Sequence, residues 1–199
     1  MVRKLKTGKL GIQNPVGLAF SNNEQVFHVI ESHGSFQSQS QNSDVIQITP
    51  RPTQIARTHI PTAITDPINI VFDDAYDRLL VLLPNTNVLM EVKAGPDGRL
   101  NPKTLDHHDA RHFGLMDPQG MAVDPASGAL LVLDNAASSI VRIAPTPDGS
   151  FDGGTVFRMD IQFLASTDLG GSLSIRVTVI STYWTTHVMS LMNSRLRGS

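Results

Sequence analysis

The sequence predicts an all-β chain built from repeated four-stranded antiparallel units, and three observations predict it. A motif recurs at nearly constant spacing: "NPVGLAFSNNEQVFHVIES" from Asn14, "DPINIVFDDAYDRLLVLLPN" from Asp66 and "DPQGMAVDPASGALLVLDN" from Asp117. Pro15, Pro67 and Pro118 stand 52 and 51 residues apart. The runs inside each copy are short, rich in Val, Ile, Leu and Phe, and bounded by Pro, Gly, Asn and Asp, as strands are. Before residue 160, no segment of ten or more residues combines helical periodicity with caps.

Each unit then resolves into four strands. The first follows the proline. The second is "LLVLL" in the middle copy and "LLVLD" in the last, apolar on both faces, which predicts strands sandwiched between neighbours. The third is "DVIQITP", "VLMEVKAGP" or "SIVRIAPTP", whose alternation suits a half-exposed strand. Fourth strands fit "QIARTHI", "TLDHHDA" and "TVFRMDI", and Pro96-Asp97-Gly98 recurs as Pro147-Asp148-Gly149. Four antiparallel strands per repeat of about 50 residues describe a β-propeller blade. The predicted layout is an extension over 1–13, blades over 14–65, 66–116 and 117–167, and the start of a fourth unit over 168–199.

The third unit resembles the NHL-type propeller repeat. Pro118, Gly120, Asp124, Gly128, Asp134 and Arg142 occupy that family's Pro-x-Gly, Asp, Gly-turn, closing-Asp and apolar-x-Arg places. The second unit departs at Asn69, which replaces the Gly. The first departs at Glu31, which ends the strand, and in a longer Ser/Gln-rich loop. The resemblance covers about residues 14–168. It implies a six-bladed ring of the TolB or gluconolactonase-like architecture, mostly binding modules with some hydrolases in related folds, and an extracellular or periplasmic setting.

Near residue 170 the pattern stops, and the last 30 residues hold the only Trp. Read one base out of frame, residues 172–185 permit an apolar run, Asp-Pro, Gly and a closing Asp in register with Asp124, Gly128 and Asp134. The expectation is therefore an out-of-frame fourth blade from about 172, with mobile residues 172–199. The competing expectation is a genuine divergent tail, since "LSIRVTVIST" alternates like an edge strand. Three blades make an arc, so the outer faces of the first and last should expose apolar surface and favour self-association.

Composition excludes several function classes. The chain has 199 residues, 40% hydrophobic and 17% charged, with net charge −2 and sequence pI about 6.4. That gives no broad attraction to nucleic acid. It has no cysteine, hence no disulfide or Cys-based zinc site. The first 15 residues lack the apolar stretch of a signal peptide, and no apolar run reaches the ~20 residues of a membrane helix.

One loop face collects polar residues. Glu31, Asn69, Asn85, Asp134 and Asn135 are the ligand-face candidates there, alongside His33, Asp66 and Asp117. Because they recur once per blade, turn and backbone hydrogen bonding accounts for them equally well. In "DHHDARH", His107, His108 and His112 are weak metal candidates, because a strand turns neighbours to opposite faces. Asp73, Asp74 and Asp77 do not meet a calcium-loop pattern and predict a solvated turn. No catalytic residue and no cofactor is nominated. Two functions compete: a non-catalytic binding or scaffold module within a larger bacterial secreted or surface protein, and a fragment of a metal-dependent lactonase or esterase propeller. The resemblance implies a central cation held by Glu and Asn/Asp in the latter. Among the strand entries "PVG", "PIN" and "PQG", only Asn69 is read as offering a ligand atom, and no Glu is expected near the first entry.

Overall fold

The computed structural model describes residues 7–33, 42–50, 53–62, 64, 69–161, 163–167 and 173–177. It is an all-β propeller fragment of three four-stranded antiparallel blades. Blade 1 comprises β1 (Pro15–Ser21), β2 (Val26–Ser32), β3 (Ser43–Pro50) and β4 (Thr53–Ile60). Blade 2 comprises β5 (Asn69–Asp73), β6 (Arg78–Leu83), β7 (Val88–Lys93) and β8 (Asp106–Asp109). Blade 3 comprises β9 (Pro118–Val123), β10 (Leu130–Asp134), β11 (Ser139–Ala144) and β12 (Thr155–Asp160). Each blade meanders in sequence order, and helix among the described residues is limited to short 3-10 turns.

First strands pack against first strands, β1 on β5 and β5 on β9. Gly17 permits the first approach, because a Cβ there would stand 2.9 Å from Ile70 Cδ1. Outward from these strands the sheets stack face to face. The side of blade 1 bearing Ile30, Val45 and Ile60 meets the side of blade 2 bearing Ile70, Leu79, Val81 and Met90. The other side of blade 2, with Leu80, Leu82 and Leu89, meets Met121, Leu130, Val132 and Val141 of blade 3. Thus "LLVLL" is sandwiched as its two-sided apolarity predicts. We call the side turned to the preceding blade the front and the other the back.

β10 departs from that prediction. Leu130 and Val132 are buried against blade 2, but Leu133 on the back is 44% exposed. At the opposite end, the front of blade 1 is less open than an arc suggests. Leu10 and Ile12 fold over it and seal Val29, Ile46 and Ile48. Leu18 nevertheless stays 62% exposed, whereas Ile70 and Met121, in the same register in blades 2 and 3, are 5% and 6% exposed.

Polar groups bind the blades together as well. The expected solvated turn at "FDDAYD" is instead an interblade staple. Asp73 is fully buried and accepts Arg78 Nε at 2.9 Å. Asp74 reaches blade 1, accepting the Ser21 hydroxyl at 2.6 Å and the Asn22 N–H at 2.9 Å. Arg78 also bonds Glu91 at 3.2 Å, donates to the Gly149 carbonyl of blade 3, and lies 4.2 Å from the Phe151 ring centre. Burial pushes the Asp73 carboxyl up, and Arg78 counters this only in part.

The strands β13 (Phe163–Thr167) and β14 (Leu173–Val177) pair with each other in a separate two-stranded sheet, so the described part of the alternating tail segment, residues 173–177, pairs with β13 and not with the edge of blade 3. Residues 168–172 and 178–199, where mobility and Trp184 were at issue, lie outside the described residues.

His28 is the anomaly of the first interface. It is fully buried, it stacks on Phe72 at 4.5 Å, and neither ring nitrogen has a hydrogen-bond partner among the described residues. The same register holds Leu80 and Leu131 in the other blades. Burial pushes its imidazole down to about 4, against the pull of the Asp74 carboxylate. The unfolded chain binds this proton near pH 6.5, the folded chain only near 4. Stability from this group is therefore complete above about 6.5 and falls as pH drops toward 4. The loss should reach about 2–3 kcal/mol. His28→Leu should narrow the gap between urea midpoints measured near neutrality and near pH 4.5. An unchanged gap would remove His28 from the account.

Candidate ligand face

The candidate face is built at the ends of second strands, where the chain passes to the third. Glu31 stands next to last in β2, and its carboxylate accepts the backbone N–H groups of Gln13 and Asn14 while Arg57 Nη1 of β4 donates to it at 2.7 Å. A glutamate thus does stand at the start of the first strand, correcting the sequence expectation. The chain brings it there through the β2 hairpin rather than through adjacent residues. Asp134, the last residue of β10, is held in the same way, accepting Asp117 N–H at 2.9 Å, Met116 N–H at 3.3 Å and Arg158 Nη1 at 3.2 Å.

The correspondence extends further. Arg57 also donates to the Gly11 carbonyl and Arg158 to the Gly114 carbonyl. Both glycines follow a 3-10 turn and hold φ near +70°, where a side chain would strain the backbone. Burial pushes the Glu31 carboxyl up, but the Gln13 N–H and Arg57 outweigh it and hold it below the usual carboxylate range. In blade 2, Leu83 and His107 occupy the two places. Carboxylate and arginine are absent together, as partners in one clasp should be.

The remaining candidates are placed as follows. Asn69 Nδ2 donates to the Met121 carbonyl at 2.7 Å, tying β5 to β9. Asn135 Nδ2 donates to Asp117 at 2.9 Å. Asn85 is exposed in the 3-10 turn Pro84–Thr86. Asp66 lies outside the described residues. The three histidines of "DHHDARH" do not gather. His107 and His112 are exposed, while His108 is buried with Nε2 3.2 Å from Glu91. That contact raises the His108 imidazole, with burial opposing.

Among the described residues, one group could offer three metal ligands: Glu31, His33 and Asp44, with donor atoms within 4.8 Å of one another. Its charge is already answered. His33 Nε2 and His59 Nδ1 stand 3.1 and 3.0 Å from Asp44, and Arg57 lies 3.8 Å from it. A cation there would have to displace an arginine. Sequence reading missed Asp44, His59 and both clasp arginines. The signal was present as Glu31 with Arg57, 26 residues on, and Asp134 with Arg158, 24 residues on.

No family model matches the chain, and no curated protein matches it. Similar solved structures exist. A putative 6-phosphogluconolactonase from Bacteroides uniformis shares 15% identity at a TM-score of 0.53, over 76% of this chain and 45% of its own. A Lactobacillus plantarum protein shares 14% identity at 0.47, over 75% of this chain and 41% of its own. A quinonprotein alcohol dehydrogenase-like protein from Bacteroides thetaiotaomicron shares 10% at 0.44, over 67% and 31%. The chain spans less than half the length of these three. At 15% identity, the likeness to the Bacteroides uniformis protein supports the fold alone.

The clasp yields a test. Asp134→Asn should cost about 1–3 kcal/mol, since a buried acceptor of several donors is lost. Asp134→Leu combined with Arg158→His, which copies blade 2, should cost less than the sum of the two single changes. Denaturant unfolding of the four proteins measures this coupling. Simple additivity would show that the pair does not act as a unit.

Proposed function

We propose that this chain belongs to a β-propeller that acts as a non-catalytic binding or scaffold module, the N-terminal part of a larger bacterial secreted or surface protein of the NHL-like kind. The observation that supports this reading is the engagement of polar side chains on the candidate face. Glu31, Asn69, Asp134 and Asn135 all make hydrogen bonds that hold the scaffold. A hydrolytic centre needs such groups turned toward one reacting atom with lone pairs unspent. Loops held on a rigid scaffold suit contact with a partner protein or small ligand. The two ends of the arc, where a blade lacks a neighbour, are further contact surfaces in this reading.

The competing reading is a fragment of a metal-dependent lactonase or esterase propeller. It draws on Asn69 beside the inner strands and on Glu31 at the start of β1, and it needs further ligands from blades outside this chain. Purified protein, supplied with calcium, manganese or zinc, should show no turnover of lactones or aryl esters above background. Metal-dependent turnover that disappears in Asn69→Ala, with the melting curve unchanged, would overturn the binding-module reading.

A further inference from the structure

We propose that His28 makes the interface between blades 1 and 2 an acid-operated latch: protonation of its ring parts blade 1 from blade 2, while blades 2 and 3 stay docked. The ring is fully buried on the back of blade 1 and stacks on Phe72 of blade 2 at 4.5 Å. Neither of its nitrogens has a hydrogen-bond partner among the described residues. A neutral imidazole loses only its hydrogen bonds to water in such a slot. An imidazolium carries two N–H donors and a full charge, and it needs acceptors or water.

The surroundings of the ring leave that charge one answer. Its cross-strand neighbours are Ala19 and Gln47. Gln47 commits its amide to Gly98 O at 2.8 Å and to Leu100 N–H at 3.1 Å in blade 2, and Thr58 reaches Leu100 O at 3.4 Å. These ties are neutral. Asp74, in the turn between β5 and β6, is the one charged group among the described residues that acts on the ring. Its carboxylate already accepts the Ser21 hydroxyl at 2.6 Å and the N–H groups of Asn22 at 2.9 Å and Asn23 at 3.4 Å, all from blade 1. A charged His28 therefore has two routes to an acceptor. Asp74 turns to it and abandons the staple, or the sheets part and admit water. Both undo contacts between blade 1 and blade 2.

The second interface lacks this weakness. Leu80 of blade 2 holds the register of His28 there and is fully buried. The charged tie is Arg78, an arginine and so permanently charged, which donates to the Gly149 carbonyl of blade 3. Burial pushes the Glu91 carboxyl beside it up, but His108 and Arg78 outweigh that and hold it below the usual range, so it keeps its charge into acid. Asp73, pushed up by burial, loses its charge sooner, yet its bond to Arg78 lies within blade 2. Acid thus opens the first interface and spares the second. The parted state takes up the His28 proton near pH 6.5 and the docked state only near 4, so docking is complete above about 6.5 and weakens as pH falls.

Hydrogen exchange of the 199-residue chain at pH 7 and pH 4.5, each corrected for its intrinsic rate, tests this. The expected result at pH 4.5 is a fall in protection of about 50-fold across β1–β4, with β9–β11 keeping theirs. His28→Leu, which copies the residue type of the other two blades at this register, should abolish the fall. Should that variant lose its strand circular dichroism, His28→Gln must abolish it instead, since its side chain is polar but takes no proton. Equal loss in all three blades overturns the proposal, because the whole chain then opens as one unit. So does a fall that survives in His28→Leu, and so does unchanged protection at pH 4.5.

Discussion

Everything in this structure depends on one constraint: a four-stranded blade has two apolar faces and cannot bury both by itself. Blade 2 shows the solution. Leu79 and Val81 face backward along the chain, Leu80 and Leu82 face forward, and all four are fully buried. Each such side chain contributes about 1.5–3 kcal/mol relative to exposure. The contribution exists only while both neighbours are docked. Close packing of the inner strands, with Gly17 against Ile70, sets the distance at which the faces meet. The ends of the arc show the constraint unmet, at Leu18 on one side and Leu133 on the other.

Apolar faces are not directional, so polar contacts fix how blades are set on one another. Two devices do this. The carboxylate–arginine clasp, Glu31 with Arg57 and Asp134 with Arg158, pins the segment before a blade to that blade's second and fourth strands. The buried Arg78 joins two carboxylates of its own blade to a backbone carbonyl of the next. Neither device requires a ligand. Blade 2 shows that the clasp is optional, since Leu83 and His107 replace both partners. A lone survivor of the pair would instead leave a charge or acceptor unanswered in a partly buried place. That is the physical reason for reading Glu31 and Asp134 as scaffold first.

The strands and their order were legible in the sequence because they rest on local rules: period-two runs, Pro and Gly punctuation, and a 51–52 residue repeat. The fate of polar residues was not, because it depends on what another blade brings. "FDDAYD" reads as a solvated turn until blade 1 and Arg78 are set against it. The clasp stayed hidden for another reason. The loop between β2 and β3 is longer in blade 1, and that between β3 and β4 is shorter. Arg57 and Arg158 therefore fall out of the simple period although their registers match. His28 reads as part of an ordinary strand, and only the stacked sheets show it to be buried without a hydrogen-bond partner among the described residues.

The central claim is that neighbouring blades stabilise each other through these faces, so that no blade stands as an independent unit. Native-state hydrogen exchange on Leu82→Ala tests it most directly, since Leu82 belongs to blade 2 but is buried against blade 3. A cavity at such a site costs about 2–5 kcal/mol. The account predicts that protection falls together and by similar amounts in β5–β7 and in β9–β11. A loss confined to the strands of blade 2, with blade 3 as protected as before, would contradict it.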